Sequence, residues 1–329
     1  MTTVGWYVHH HGSGHLMRFL AVRPHLDTEV VVFSSRPRPA ALPERTRWVA
    51  LDRDDEPIAS ADGSTRHPRD ASPTAGGLLH WAPRHHPGHA RRLATITSAA
   101  AEERFDAFVV DVSVEVSLLV RLLGIPLILM TQPGERDDRP HELAFAAADA
   151  VVAPWPSGRP DPHGRRPHEV GGISRFAGRE PATAPERGHV LLLGGGVPDA
   201  SAVPADTDDW RWRRIGGDAA WVDDPWHEIC AAEIVVCGAG QNAVADLAAA
   251  GARAVVIPEE RPFGEQHATA AALDAAGLAL VVDRRPSSQE WPALLERARR
   301  LEPRWELWQT AGAAERAARV VADTVERLR

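Results

Sequence analysis

Lysine is missing from this chain of 329 residues, so all 37 of its basic side chains are arginine. That excludes a lysine Schiff base and a phosphate loop built on a lysine. Cysteine is nearly missing too. Cys230 and Cys237 are too few for a disulfide framework and wrongly spaced for a zinc knuckle, and they read as reduced core residues. Nor does any run approach the ~18 consecutive apolar residues of a membrane span. The N-terminus enters a strand rather than a signal peptide, so a cytoplasmic protein without an integral membrane segment is expected. Excess positive charge is lacking as well: the formal net charge is −8, which argues against a broad nucleic-acid surface. What remains is ordinary for a globular protein, with 44% hydrophobic and 25% charged residues. The length suits two domains of roughly 150 residues each.

Strand and helix signals alternate along the first half. Val4–Val8 is a short apolar run, followed by the Gly/His loop His9–Gly14 and a helical stretch from His15 toward Pro24. Glu29–Ser34, Phe105–Asp111 and Pro126–Met130 read as further strands, and Gly88–Arg104 as an amphipathic helix. Strands separated by helices imply a parallel sheet covered on both faces. Residues 53–92 are rich in Pro, Gly and His, and they read as a flexible flap over a cleft. The pattern restarts at His189–Leu193, which runs into Gly194-Gly195-Gly196. It continues with Glu233–Cys237 before Gly238-Ala239-Gly240, then Ala254–Pro258 and Leu278–Val282. Trp155–Arg187 reads as a linker, and Trp305–Arg329 as one amphipathic helix.

The fold class implied is α/β: two facing Rossmann-like domains with a cleft between them. The expected division is 1–170 and 171–329. Such sheets bind ligands at the carboxyl ends of their strands, where helix N-termini present free N–H groups to anions. Three glycine loops stand at such edges: His11-Gly12-Ser13-Gly14-His15, Gly194–Gly196 and Gly238–Gly240. None matches the dinucleotide fingerprint, so a dehydrogenase is disfavoured. After Gly240, Gln241 and Asn242 open a helix with Val244, Leu247 and Ala248 on its core stripe, Asp246 on its second turn and Gly251 as its stop.

The run Trp221-Val222-Asp223-Asp224, then Ala231–Cys237, Asn242–Gly251 and Val255–Pro258 with Glu265-Gln266 beyond, resembles the donor half of the MurG family of N-acetylglucosaminyltransferases. Those enzymes have the GT-B fold, and the resemblance implies that 1–170 is a domain for the acceptor and 171–329 one for a nucleotide-sugar donor, with the last helix (about 305–329) packing back on the first domain. The resemblance implies a glycosyltransferase that moves a sugar from a nucleotide donor, UDP-linked by the family's habit, to an acceptor hydroxyl with inversion and without a metal or other cofactor. By the same resemblance Val222 meets the uracil through its backbone, and Gln241 and Asn242 offer N–H groups to the diphosphate. Asp246 stands for a family glutamate on the ribose hydroxyls, Gln266 and Glu265 hold the sugar, and Arg175 helps neutralise the leaving diphosphate. Gly14, Gly195 and Gly240 belong to the loops that would cradle the donor. The first loop differs from the family's Gly-Thr-Gly-Gly-His, and a second glycine loop after Asp111 is replaced by Asp111-Val112-Ser113-Val114-Glu115.

His15 is the candidate general base, because an imidazole is suited to proton transfer near neutral pH. Asp111 or Glu115 would orient it, and Asp111 is the alternative base. His80 and Trp81 are candidates for the acceptor pocket, with Gln132 and Gly134 ranked below them. His9, His10 and His11 beside His15 raise the question of a metal. Consecutive residues of an extended strand point to opposite faces and cannot share one ion, so no metal is expected. The rivals are a UDP-sugar 2-epimerase on the same fold and a non-catalytic sugar-nucleotide-binding subunit. Expected partners are therefore a nucleotide-sugar and a small-molecule or glycan acceptor, with no nucleic acid.

Overall fold

The computed structural model describes residues 2–59, 63–158, 166–181, 183–194, 206–207, 209–216 and 222–329. Gly195 and Gly196 of the second glycine loop, and Trp221, lie outside the described residues.

The first unit begins with β1 (Thr3–Tyr7), α1 (Gly14–Val22), β2 (Glu29–Ser34) and β3 (Thr46–Ala50). A two-stranded ribbon, β4 (Ile58–Ala59) with β5 (Thr65–Arg66), precedes α2 (Pro87–Glu102). Then come β6 (Ala107–Asp111), α3 (Val114–Leu122), β7 (Leu127–Met130), α4 (Arg139–Ala147), β8 (Ala150–Ala153) and β9 (His168–Glu169). Its main sheet runs β3-β2-β1-β6-β7-β8-β9 with parallel pairings throughout.

Alternation of side chains along each strand divides the core into two layers. Val4, Trp6, Val30, Val32, Ala107 and Val109 pack on the face that carries α1. Tyr7, Val31, Phe33, Phe108 and Val110 pack on the other, with Ile96 of α2 and Val120 of α3. Trp6 meets Phe19 of α1 edge-on at 5.3 Å. Each such side chain stabilises the fold by about 2 kcal/mol through burial. A strand covered on both faces needs an apolar residue at every position, and β6 is buried at every residue, its terminal Asp111 included.

The second unit consists of β10 (Glu186–Leu193), β11 (Arg211–Ile215), α5 (Trp226–Ala231), β12 (Ala232–Cys237), α6 (Gln241–Ala250), β13 (Ala254–Val256), α7 (Glu265–Ala275), β14 (Leu280–Val281) and α8 (Trp291–Arg299). Its sheet order is β11-β10-β12-β13-β14, again parallel. Cys230 and Cys237 are both buried free thiols. Helix α6 begins after Gly240 and stops at Gly251, which takes the left-handed conformation at φ 65°.

The C-terminal stretch differs from the single helix expected from Trp305. Trp305–Trp308 is a short 3-10 turn packed in the second unit's core. Gln309 and Gly312 then adopt φ of 54° and 71°, which interrupts the helix. The final helix, α9 (Ala313–Leu328), buries Ala317, Val321 and Val325 in the α1 layer of the first unit. The chain thus crosses from one core to the other within a few residues. The stretch read as a linker is also partly built in: β9 pairs with β8, and Val170 and Ile173 join the first core.

Candidate active site

Each sheet has one place where the strand order reverses, between β1 and β6 in the first and between β10 and β12 in the second. Crevices form outside the carboxyl ends of such strand pairs, because the two following helices leave on opposite faces. His15 follows β1 and Asp111 ends β6, so both stand at the first reversal. Gly194 ends β10, and Gly238–Gly240 lead from β12 into α6, so both glycine loops stand at the second.

At the first reversal His15 Nδ1 lies 3.0 Å from Asp111 Oδ1. Arg18, one turn along α1, is 2% exposed and donates from Nη2 to Asp111 Oδ1 at 2.6 Å and from Nε to Oδ2 at 3.2 Å. Its Nη2 is also 3.2 Å from His15 Nδ1. Burial works to raise the Asp111 carboxyl pKa, yet the Arg18 guanidinium and His15 bring it down to about 2, so the group is a carboxylate at neutral pH. Val112, directly after it, holds φ 62°. That conformation is an outlier for a β-branched residue, and strain of this kind concentrates at functional sites. Glu115, the other candidate orienter, is engaged elsewhere: its Oε1 accepts from the backbone N–H groups of His80 and Trp81 at 2.8 and 2.9 Å.

The two reversals meet. Arg18 Nη1 donates to Gln241 Oε1 at 3.1 Å, Gln241 Nε2 donates to the Pro154 carbonyl at 3.2 Å, and Asn242 Nδ2 donates to the Gly14 carbonyl at 2.6 Å. Neither α1 nor α6 has a side-chain cap. Two helix N-termini, each with the positive end of its dipole, therefore face one crevice. Arg18 was not singled out in the sequence, although a lone arginine within the apolar run Leu16–Val22 is a signal that it has a buried partner.

Further along α6, the half-buried Asp246 accepts a 2.5 Å hydrogen bond from Ser174 Oγ. Burial pushes its pKa up to about 6, against the lowering effects of Ser174 and Arg175. Arg175 lies over the Phe176 ring at 4.6 Å and donates to the Asp223 carbonyl. Val222, Asp223, Ser174, Arg175 and Asp246 are thereby gathered beside one helix. Gln266 is placed differently from a side chain that greets a ligand. It is 6% exposed, accepts from the backbone N–H groups of Ala239 and Glu259 at 2.8 and 2.9 Å, and donates to Glu259 Oε2 at 3.2 Å. Both ends of its amide are spent on holding the Gly238–Gly240 loop. Glu265 stays nearer the surface, 3.6 Å from Arg136.

Arg136 belongs to a second junction between the units. Phe263, with φ 64°, lies within 4.7 Å of the Arg136 guanidinium and 4.7 and 4.9 Å of the His141 and His80 rings. Its carbonyl accepts from Glu135 N at 2.8 Å. Gly134 touches it so closely that a Cβ there would overlap the Phe263 carbonyl oxygen. The stretch 53–92, expected as a flexible flap, is anchored at several of its described residues. Asp54 and Arg92 form a buried ion pair, Trp81 Nε1 donates to the Asp54 carbonyl at 3.2 Å, and Glu115 holds the backbone of His80 and Trp81. These contacts tie Asp54, His80, Trp81 and Arg92 to the first unit, while residues 74–78 of the same stretch are exposed.

Two groups of described side chains have the composition of a metal site: His10, His11 and Asp55, and His80, Asp138 and His141. The alternation argument against the first does not apply, because β1 ends at Tyr7 and the chain bends through His11–Ser13. No described helix is long and apolar enough to cross a membrane.

Comparison with known proteins agrees with this architecture. Residues 222–302 match the glycosyltransferase family 28 C-terminal domain. Over 117 residues, 34% of this chain, the sequence is 34% identical to the UDP-N-acetylglucosamine–N-acetylmuramyl-(pentapeptide) pyrophosphoryl-undecaprenol N-acetylglucosamine transferase of Paenarthrobacter aurescens, and the match spans 30% of that relative's length. The fold is similar to that of Acinetobacter baumannii MurG, with a TM-score of 0.61 and 17% identity over 98% of this chain and all of that one. It is similar also to a UDP-glucosyltransferase from Polygonum tinctorium, with a TM-score of 0.64 and 15% identity over 99% and 98% of the two chains. A spinosyn rhamnosyltransferase bound to thymidine diphosphate gives 0.59 at 15% identity over 99% and 96%. The chain thus has the two-unit fold seen in MurG and in these other glycosyltransferases, and its second unit carries the family 28 C-terminal signature.

Proposed function

We propose that this protein is an inverting glycosyltransferase that moves a sugar from a nucleoside diphosphate, UDP in the first instance, to an acceptor hydroxyl without a metal in the transfer step. The observation that carries the reading is the meeting of the uncapped α1 and α6 N-termini beside the His15–Asp111 pair. As the glycosidic bond to phosphate breaks, negative charge grows on the diphosphate. Backbone N–H groups at Gln241 and Asn242, the α6 dipole and the nearby Arg18 cation stabilise it there. Arg175 and Asp246 lie further along, where Val222 would meet the base and Asp246 the ribose. Gly14 and Gly240 would supply backbone without bulk around the phosphates, and Glu265 would hold the sugar.

Asp111 accepts the Nδ1 proton of His15, which leaves the Nε2 lone pair free to take the proton of the acceptor hydroxyl. Attack from the side opposite the diphosphate inverts the anomeric centre. The first unit then serves the acceptor and the second the donor, in line with the division near residue 170. Phe263, His80 and Trp81 wall the acceptor side.

The test is calorimetry with UDP, GDP and dTDP, followed by turnover of the matching sugar conjugates against a panel of acceptors. His15→Ala is expected to bind UDP as the wild type does and to lose 10²–10⁴-fold in turnover, the usual worth of a general base. Unchanged turnover in that variant refutes the base assignment. Conversion of the UDP-sugar with no acceptor present refutes transfer in favour of epimerisation.

A further inference from the structure

The His-rich loop after β1 contributes only His15 to the proposed transfer and leaves His10 and His11 unexplained. Both turn their rings toward Asp55, whose Oδ2 lies 3.3 Å from His10 Nε2 and 3.3 Å from His11 Nε2. The three ligand atoms all lie within 4.8 Å of one another. We infer that His10, His11 and Asp55 form a site for a zinc-class divalent transition-metal ion, with the remaining coordination position open to water.

Three observations support it. Tetrahedral zinc binds imidazole nitrogen and carboxylate oxygen at about 2.0–2.2 Å, which sets neighbouring ligand atoms about 3.4 Å apart. Both imidazole-to-carboxylate distances are close to that edge. They are long for the charge-assisted hydrogen bonds that histidine and aspartate otherwise make, about 2.7–2.9 Å. Second, His10 is 8% exposed, and neither of its ring nitrogens has a hydrogen-bond partner. A buried imidazole with two unmet nitrogens is costly, and a metal bond at Nε2 removes half of that cost. Third, the carboxylate is held in place. Arg53 donates from Nε to Asp55 Oδ1 at 3.0 Å and from Nη2 to Oδ2 at 2.6 Å, an outer shell of the kind that orients metal-binding carboxylates.

Two imidazoles and a carboxylate suit zinc, cobalt or nickel, and do not suit magnesium or calcium, which take oxygen.

The other histidine cluster is an internal contrast. His80 and His141 stand 2.9 and 2.7 Å from Asp138, which are hydrogen-bond lengths, and Arg136 Nη1 lies 3.0 Å from His141 Nε2. Those short contacts, with Arg136 on the far ring nitrogen of His141, describe a hydrogen-bonded cluster already satisfied without an ion. The two sites therefore predict opposite outcomes from one experiment.

Bound at His10, His11 and Asp55, an ion fastens the His9–Gly14 loop to the 53–55 segment and so fixes the start of the helix that carries His15. This inference does not depend on sugar transfer, since binding is read without turnover. The full-length protein, stripped with chelator, is titrated calorimetrically with Zn²⁺, and with Co²⁺ while the visible spectrum is recorded. One Zn²⁺ per chain with micromolar or tighter affinity is expected, together with the intense visible bands of four-coordinate cobalt. His11→Ala, at a side chain 66% exposed, leaves the fold intact and is expected to weaken Zn²⁺ at least 100-fold, as is Asp55→Asn. His80→Ala is expected to bind as the wild type does. Failure of the wild type to bind Zn²⁺ overturns the inference. So does wild-type affinity in His11→Ala, or loss of the ion in His80→Ala.

Discussion

Two aspartates in the crevice have been moved in opposite directions, and the cause lies in their partners. Asp111 is fully buried but shares its charge with Arg18 and His15, so its pKa falls to about 2. A carboxyl lowered on folding contributes stability that is present above its unfolded value near 3.9 and is lost as pH falls through the folded value. Asp111→Asn leaves the Arg18 cation buried without its anion, and breaking such a pair costs about 3–5 kcal/mol. Urea unfolding is expected to show that deficit at pH 7, and the gap to the wild type is expected to narrow between about pH 4 and 2. Asp246 is the reverse. Its pKa is raised to about 6 by burial, with Ser174 and Arg175 pulling against it, so stability is present below pH 4 and lost as pH rises through 6. Asp246→Asn keeps a carbonyl for Ser174 and removes the charge. It is expected to raise the Tm at pH 8 and to leave it nearly unchanged at pH 4, while weakening UDP if ribose is the partner of this carboxylate. An equal gain at both pH values would refute the account.

Among the elements, α6 carries most of the proposed donor site. Gly240 caps it without a side-chain acceptor, at φ −65°, with open space where a Cβ would stand. A capping aspartate fits that backbone and that space. Gly240→Asp is expected to stabilise the protein by about 0.5 kcal/mol through the cap and the dipole. It is also expected to weaken nucleotide diphosphate binding at least tenfold, since a carboxylate then holds the same N–H groups. Calorimetry beside thermal unfolding separates the two effects, and a variant that gains stability and keeps its affinity would place the diphosphate elsewhere. The position of this helix was legible in the sequence because its signals are local: an apolar strand, a glycine pair, a core stripe and a glycine stop. Strand β11, Arg211–Ile215, was not, because its edge position lets charged residues alternate with partly buried ones. Arg18, and the hold of Gln266 on the Gly238–Gly240 loop, escaped for a different reason. Arg18 bonds to Asp111 and Gln241, residues brought beside it by the two sheets, and no spacing in the chain encodes that. The break in the last helix hinges on left-handed Gln309, a residue type that gives no warning of it.

At the scale of the molecule, the described residues join the two parallel sheets, besides the segment between β9 and β10, through the chain crossing before α9, the α1–α6 contact, and the junction at Phe263. The first is covalent and buried in both cores, so it acts as a hinge support, while the other two are small polar or aromatic contacts that can part. Gly134 decides how closely the third can shut. It holds φ 101°, which no L side chain adopts without strain, and its α-carbon faces the Phe263 carbonyl at a distance that admits no Cβ. Gly134→Ala therefore forces residues 134–136 off the second unit. The Glu135–Phe263 hydrogen bond and the Arg136–Phe263 stacking are lost with it. Neither core is touched, so both units are expected to stay folded and the global Tm to fall by only a few degrees, consistent with a cost of about 1–3 kcal/mol. Small-angle scattering is expected to show a larger radius of gyration, because the contact that holds this edge of the crevice shut is gone. In turnover the separation is sharper. UDP affinity, which the proposed function assigns to the second unit, is expected to stay within about threefold, whereas the proposed transfer needs both units in register and a displacement of about 1 Å can cost 10²-fold. A variant that transfers sugar at the wild-type rate with its units apart would show that the Phe263 junction plays no part in bringing acceptor and donor together.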